Sequence, residues 1–301
     1  MSRPPVDTVV VTWRAAPFVG ACLEALRQEG IARRIVVDNA SDDGTAEAVR
    51  QTDPEALLLR MPGNLGFAAA CNRGLAESRA PFVLLVNPDA VLQAGALQAL
   101  LEEAMKHPRA GLLGPLILNS AGRPAWDCAR GFPTLLDRLL TDTLAAVALP
   151  GLRRFRRDLQ PTPDTAREVP ALSGACLLVR REALEQAGAL DEDFFLYFED
   201  LDWCRRIGAA GWACRVVPAA RLIHVGGASA STLLARSYLE NRVSEIRYFR
   251  KHGSRGAVIG LKTCRWMDGL CRILLDVLLW PCGGRRRLSK DLAAMKALAA
   301  A

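Results

Sequence analysis

The sequence predicts an α/β fold: a mostly parallel central sheet flanked by helices, with a basic helical extension at its C-terminus. Short apolar runs rich in valine and leucine, the mark of strands buried on both faces, alternate with stretches of helical spacing. That alternation implies parallel βαβ units. The runs end in polar turns bearing aspartate and asparagine, and open α/β sheets bind ligands there, outside the carboxyl ends of their strands. The extension is marked by charge. From Glu240 onward there are 13 Lys/Arg against 5 Asp/Glu, whereas residues 1–239 hold 26 against 27.

In chain order, Val6 to Trp13 reads as a buried first strand. Phe18 to Gln28 has helical spacing, with Val19, Cys22, Leu23 and Leu26 on one side. Arg34–Asp38 is a second strand, closing on a turn rich in capping residues (Asn39, Ser41, Asp42, Asp43, Gly44) that leads into a helix at Ala46–Gln51. Leu57–Arg60 is a third, short strand, and Pro62–Phe67 turns into an alanine-rich helix at Ala68–Ala76. Phe82–Val86 is an unbroken apolar run that stops at Asn87-Pro88-Asp89, since proline cannot donate a ladder hydrogen bond and biases Asn87 toward extended backbone. Ala94–Lys106 is a helix and Gly111–Leu118 a strand.

Residues 120–168 change character, with an apolar run from Leu135 to Leu149 and the cluster Arg153-Arg154-Phe155-Arg156-Arg157; they read as an insertion near the site, or as a plain surface loop. Regular structure returns with a strand at Val169–Arg180 and a helix at Arg181–Ala187. A strongly aromatic run, Phe194 to Phe198, then precedes Glu199, Asp200 and Asp202 at the start of a helix reaching Ala210. The helix dipole favours acidic residues at that end. It does not account for three carboxylates against an aromatic wall, a setting that perturbs carboxylate pKa values. Trp212–Val217 is a last strand, and His224 follows among small residues.

These segments suggest a nucleotide site. Asp38 at a strand tip suits a base or ribose, or else it caps the following turn; Asn64 and Gly66 sit where backbone passes close to a ligand, or else form a simple turn. The phosphate loop Gly-x-x-x-x-Gly-Lys-Ser/Thr and a Gly-x-Gly-x-x-Gly after the first strand are both absent, which removes the main support for ATPase and dinucleotide-enzyme readings. The nine cysteines form no Cys-x-x-Cys pair and no zinc spacing with the three histidines, so reduced thiols in a cytosol are expected. The N-terminus lacks the apolar core of a signal peptide.

Taken together, the motifs resemble the family 2 inverting glycosyltransferases of GT-A fold, a Rossmann-like architecture, and most closely the bacterial rhamnosyltransferase-like branch. The matching residues are Val11-Thr12-Trp13, Val37 to Gly44, Asn64-x-Gly66-Phe67 with Asn72 and Gly74, Asn87-Pro88-Asp89, Ser173-Gly174-Ala175, Phe198-Glu199-Asp200-x-Asp202, and His224. The resemblance implies a catalytic domain over 1–240 and a basic amphipathic extension over 241–301. It implies that Thr12, Trp13, Asp38, Asn64, Gly66, Asn72, Asn87 and Asp89 bind a nucleotide-sugar donor (dTDP- or UDP-sugar). It further implies that Asp89 and His224 hold a divalent metal (Mg2+ or Mn2+), and that Asp200 is the general base, with Glu199 and Asp202 as its alternatives. Asn87 departs from the family's Asp-x-Asp and brings only a neutral amide oxygen. The implied reaction transfers a hexosyl group, rhamnosyl by branch, to a saccharide or lipid-linked acceptor in cell-surface polysaccharide synthesis. A nucleotidylyltransferase is the rival enzyme, but Thr12-Trp13-Arg14-Ala15 is not its glycine-rich phosphate loop. A non-catalytic sugar-nucleotide-binding protein is the rival without chemistry.

The basic extension has its own pattern. Arg272 and Asp276 lie four apart on one helical face, opposite Leu270, Ile273, Leu274, Val277 and Leu278, and Trp280 and Arg285–Arg287 follow. The apolar run is shorter than the roughly 20 residues needed to span a bilayer. Peripheral attachment to the cytoplasmic face of the cell membrane is expected. Nucleic acid is not, because basic residues flank a greasy stripe rather than alternate with exposed aromatics. The alternative is a helix packed on the catalytic domain or on a second subunit, as in a homodimer.

Overall fold

The valine-rich start of the chain forms β1 (Val6–Thr12), buried at every residue, as a strand covered on both faces must be. In the computed structural model, which describes residues 3–125, 128–140, 143, 151, 164–225 and 234–278, it lies at the heart of a nine-stranded sheet. Beside it run β2 (Arg33–Asp38), β3 (Leu57–Arg60) and β4 (Phe82–Val86), all parallel, in the order β3-β2-β1-β4. Three helices connect them: α1 (Ala16–Gln28), α2 (Thr45–Thr52) and α3 (Phe67–Glu77). Gly74 lets α3 lie tight on the sheet, since a Cβ there would come within 2.3 Å of Val9 Cγ1.

The second half departs from simple alternation. After β4 come β5 (Ala90–Leu92), α4 (Ala96–Lys106), β6 (Ala110–Leu118), β7 (Ala129–Arg130) and α5 (Leu135–Leu139). The strand expected over Val169–Arg180 is broken at Ser173-Gly174, into β9 (Ala171–Leu172), which pairs with β7 in a separate two-stranded sheet, and β10 (Cys176–Arg180). β10 runs antiparallel between β4 and β6. Next come α6 (Arg181–Ala187), α7 (Glu199–Ala209) and β11 (Ala213–His224), with β8 (Arg167–Glu168) on the far side of β11. The sheet remains mostly parallel and flanked by helices: β1, β2, β3, β4, β6 and β11 run one way and β5, β8 and β10 the other.

β11 is longer than the Trp212–Val217 strand expected. After a first shift between Ala213 and Cys214 it keeps step with β6 from Cys214–Leu112 to Val217–Pro115, shifts again, and resumes at Arg221–Leu116. Pro218 sits in the bulge, where its missing N–H costs no ladder bond. The resumed strand carries His224 to a position opposite Ala90 of β5.

By contacts the chain forms two compact units. The first spans Met1–Gly131, Leu159–Phe195 and Glu199–Thr232, and holds the sheets. The second spans Phe132–Asp158, Leu196–Phe198 and Leu233–Ala301, with α8 (Leu234–His252) and α9 (Arg255–Leu278). Inside it the buried Glu245 accepts hydrogen bonds from Arg265 at 2.9 and 3.1 Å and from Arg242 at 3.3 Å, with Arg138 Nε at 4.0 Å. Burial alone would raise that carboxyl, but the arginines hold it below its ordinary value. Most of the Leu135–Leu149 run, Arg153–Arg157, Trp280 and Arg285–Arg287 lie outside the described residues.

Candidate active site

Because β1, β2 and β4 are parallel, their carboxyl ends share one rim. Thr12 and Asp38 are register partners at its start, both fully buried. The Thr12 hydroxyl lies 3.5 Å from Asp38 Oδ1, which accepts from Ser41 N at 3.0 Å; Arg60 Nε donates to Oδ2 at 3.2 Å. Asp38 therefore shapes the turn beyond β2, as the capping alternative required, and Ala40 inside that turn has a left-handed φ of 63°. Trp13 is half-buried, with the Arg14 guanidinium 5.4 Å from its ring centroid, and Arg14 forks onto Asp42 at 2.7 Å through both nitrogens.

The next loop is tied to the first by amides. Asn39 Nδ2 donates to Asn64 Oδ1 at 2.9 Å and to Gly66 O at 3.0 Å, and Asn64 Oδ1 also accepts from Gly66 N at 3.1 Å. Gly66 is required twice over: its φ is +95°, and a Cβ would meet Phe195 O at 2.7 Å. Asn72 is turned to another task. Its amide bonds to the Leu190 backbone at 2.9 and 3.0 Å and to Glu192 at 2.9 Å, fastening α3 to the segment before the carboxylates.

After β4, Asn87, Asp89 and His224 converge. His224 Nε2 lies 3.1 Å from Asp89 Oδ1 and 3.5 Å from Asn87 Nδ2, and Val225 N donates to Asp89 O at 3.1 Å. Asn87 Oδ1 is buried with no hydrogen-bond partner among the described residues. An unsatisfied buried amide oxygen costs about 1–3 kcal/mol, which a cation or a donor group from a ligand would recover.

The same rim continues to the carboxylates. Asn87 N donates to Ala175 O at 2.9 Å, and the preceding residue, Gly174, donates through N to Asp200 Oδ2 at 2.9 Å. This second bond is why the expected strand breaks at Ser173-Gly174. Asp200 Oδ2 is also paired with Arg130 of β7, and Oδ1 accepts from Leu201 N at 2.8 Å. Asp200 thus holds a fixed carboxylate, partly open, at the start of α7. Asp202 does not join it. Fully buried, it accepts from Arg206 Nε at 2.8 Å, and Arg206 spans the carbonyls of Ala187 and Ala189 at 2.7 Å each, so Asp202 braces the end of α6 and is closed to substrate.

Glu199 is different again. Burial, reinforced by the neighbouring Asp200 charge, raises its carboxyl to about 8, and its Oε2 has no partner. Its carboxyl is therefore held mostly protonated near neutral pH. Below its ordinary value of 4.5 it is protonated in folded and unfolded chains alike; between there and about 8 only the folded chain keeps the proton. Stability therefore falls with rising pH over that window. Glu199→Gln removes the titration, so its melting temperature, followed from pH 5 to 8, is expected to decline less than the parent's. Parallel declines would show that the carboxyl is not held protonated.

Two residues of this region escape sequence reasoning. Arg130, 70 positions before Asp200, carries no local signal for its pairing. Arg60 looks like an ordinary strand-end residue until β3 is placed beside β2.

Residues 7–188, more than half of the chain, match the family described as Glycosyl transferase family 2. The chain is 36% identical over 235 residues to an N-acetylglucosaminyl-diphospho-decaprenol L-rhamnosyltransferase of Mycobacterium tuberculosis, covering 73% of this chain and 75% of that protein. It is 28% identical over 186 residues to a low-salt glycan biosynthesis hexosyltransferase of Haloferax volcanii, covering 60% of this chain and 54% of the relative. Among solved structures, the mannosyltransferase PcManGT from Pyrobaculum calidifontis, in complex with GDP-Man and Mn2+, aligns with a TM-score of 0.54 at 17% identity, over 100% of this chain and 87% of that one. GalNAc-T7 with UDP, GalNAc and Mn2+ aligns with a TM-score of 0.56 at 13% identity, over 82% of this chain and 50% of that one. Strand order, rim and these likenesses describe one architecture, the GT-A fold. The chain belongs to glycosyl transferase family 2, and it is a glycosyltransferase.

Proposed function

We propose that the enzyme moves a hexosyl unit, rhamnosyl by its likeness to the mycobacterial relative, from a nucleoside diphosphate donor to a hydroxyl of a lipid-linked saccharide, with inversion at the anomeric carbon. The observation that carries this reading is the continuous rim from Asn87 and Asp89 to Asp200, joined through two successive residues, Ala175 and Gly174. It brings a place for the leaving diphosphate and a place for the attacking hydroxyl onto one edge.

On the donor side, Thr12, Trp13, Asp38, Asn64 and Gly66 line the nucleotide end in this reading. A divalent cation, Mg2+ or Mn2+, fits the far end. Asn87 Oδ1, without a hydrogen-bond partner among the described residues, would supply a neutral oxygen, Asp89 a carboxylate and His224 an imidazole nitrogen to hold it. No cluster of three or more His, Cys, Asp or Glu able to hold a metal occurs among the described residues; in this reading the Asn87 amide would be the third protein donor. When bound, such a cation stabilises the charge that develops on the departing diphosphate. On the acceptor side, Asp200 takes the proton of the attacking hydroxyl as the new bond to the anomeric carbon forms and the bond to the diphosphate oxygen breaks. Arg130 and the Gly174 amide keep that carboxylate aimed; neither can accept the proton. One displacement gives one inversion.

The test is product analysis with dTDP-, UDP- and GDP-sugars and a lipid-linked saccharide acceptor. Free nucleoside diphosphate together with a product of inverted anomeric configuration is expected. Pyrophosphate release would identify a nucleotidylyltransferase instead. Binding without turnover of any donor would leave a sugar-nucleotide-binding protein. A lipid-linked acceptor also places the reaction at a membrane face.

A further inference from the structure

We infer that the outer face of α9 is a docking surface for a bilayer with anionic headgroups. The helix carries an apolar stripe outward, where an ordinary amphipathic helix turns its apolar residues in. On the inner face of α9 Leu261 is fully buried, Arg265 is buried on Glu245, and Asp268 pairs with Arg272 at 2.8 Å in a partly buried bond, whereas Arg255 at the start of the helix is exposed. Outward stand Ile259, Trp266, Met267, Leu270 and Leu274, with Ile259 66%, Met267 61% and Leu274 62% exposed. Their spacing of three, four and seven residues places them on one stripe. Single exposed apolar residues need no explanation, but a row of this kind marks an interaction surface.

The surroundings select lipid as the occupant. Arg247, Arg250 and Lys251 near the end of α8 and Arg255 at the start of α9 are exposed, and the sequence from Glu240 onward carries a balance of +8, 13 Lys/Arg against 5 Asp/Glu. Basic residues near an anionic leaflet attract it by about 1 kcal/mol each. The indole of Trp266 suits the headgroup boundary, where an apolar ring with one polar edge is best placed. No helix among the described residues is long and apolar enough to cross a membrane, so α9 would lie in the plane of the surface. The face differs from the sequence-predicted one. Ile273 is half-buried, and the stripe extends a further three turns toward Ile259. Arg272 donates to Asp268 at 2.8 Å, and the side chain of Asp276 lies outside the described residues. The side chains of Val277 and Leu278 lie outside the described residues.

This surface gives a purpose to the lipid-linked acceptor of the proposed reaction, but its test needs no turnover. The full chain is sedimented with phosphatidylcholine vesicles, with and without phosphatidylglycerol, beside the variants Leu270→Ser/Leu274→Ser and Trp266→Ser/Met267→Ser. These positions are exposed, so folding is expected to survive, and circular dichroism checks it. The parent should pellet with the anionic vesicles at low salt and be released as salt rises. Each double variant should bind roughly tenfold more weakly or worse, since two interfacial apolar side chains are lost. Equal binding by parent and variants, or no binding by the parent, would overturn the inference. So would a parent dimer, seen in sedimentation without vesicles, that the variants abolish, because the occupant would then be a second copy. Transfer to a short, water-soluble saccharide is measured alongside. Its failure would sink the proposed reaction and leave the vesicle result standing.

Discussion

Asp200→Asn is expected to lower turnover by roughly 10²–10⁴-fold, the usual worth of a positioned general base. The substitution is nearly isosteric. An asparagine oxygen can still accept from Gly174 N and Leu201 N, so the start of α7 should keep its place. What disappears is the proton acceptor and the charge facing Arg130. Because the donor sits at the other end of the rim in the proposed reading, nucleoside diphosphate affinity should be nearly unchanged, which separates a chemical defect from a folding one. Single-turnover rates at saturating donor, with nucleotide titration, make the comparison. Near-normal turnover would remove Asp200 from the role and return it to Glu199, which would then have to ionise during the reaction despite its burial.

The second large effect concerns the other end of the rim. Chelation of divalent cations is expected to abolish transfer. Asp89→Ala should weaken nucleoside diphosphate binding and cost on the order of 10²–10³ in turnover, the scale of removing one preorganised group that stabilises developing charge. His224 would lose its carboxylate partner at 3.1 Å in that variant, so its imidazole would be less firmly aimed as well. Transfer that survives exhaustive chelation would refute the cation reading, and the neutral amide at Asn87 would be the reason to examine first. Calorimetric titration of nucleoside diphosphate, with and without Mn2+, gives a readout that does not depend on turnover.

Much of the first half of the fold is legible in the sequence because its signals are local. Phe82–Val86 is apolar at every step and Val6–Thr12 carries four valines among its seven residues, and a turn or helix start closes each of them. The antiparallel β10 is not legible, since an apolar run has the same composition whichever way it points. β5, β7 and β9, at three, two and two residues, are too short for any period to register. The site divides along the same line. Asn87, Asp89 and Asp200 stand in motifs whose residue types are informative by themselves. Arg130 meets Asp200 only because the chain folds back over 70 residues. Asp202 shows an available signal that was outweighed: Arg206, four residues on, is a plain helical ion-pair partner. The acidic cluster drew attention to all three carboxylates equally, and burial is what separates them.

The bulge in β11 has a consequence for how the chain tolerates changes of length. Between Val217 and Arg221 the strand advances four residues while β6 advances one, so Pro218, Ala219 and Ala220 are slack. A residue gained or lost there can be absorbed locally, because Leu222, fully buried, and the pairing with β5 pin the strand beyond it. From Arg221 to His224 there is no slack. Side chains alternate faces, so one deletion in that stretch would move the imidazole to the register position of Ile223, away from Asp89, and bring Val225 into its place. The same strand is thus elastic in its middle and counted residue by residue at its end, and length variation among homologous chains should collect in the first part and be purged from the second.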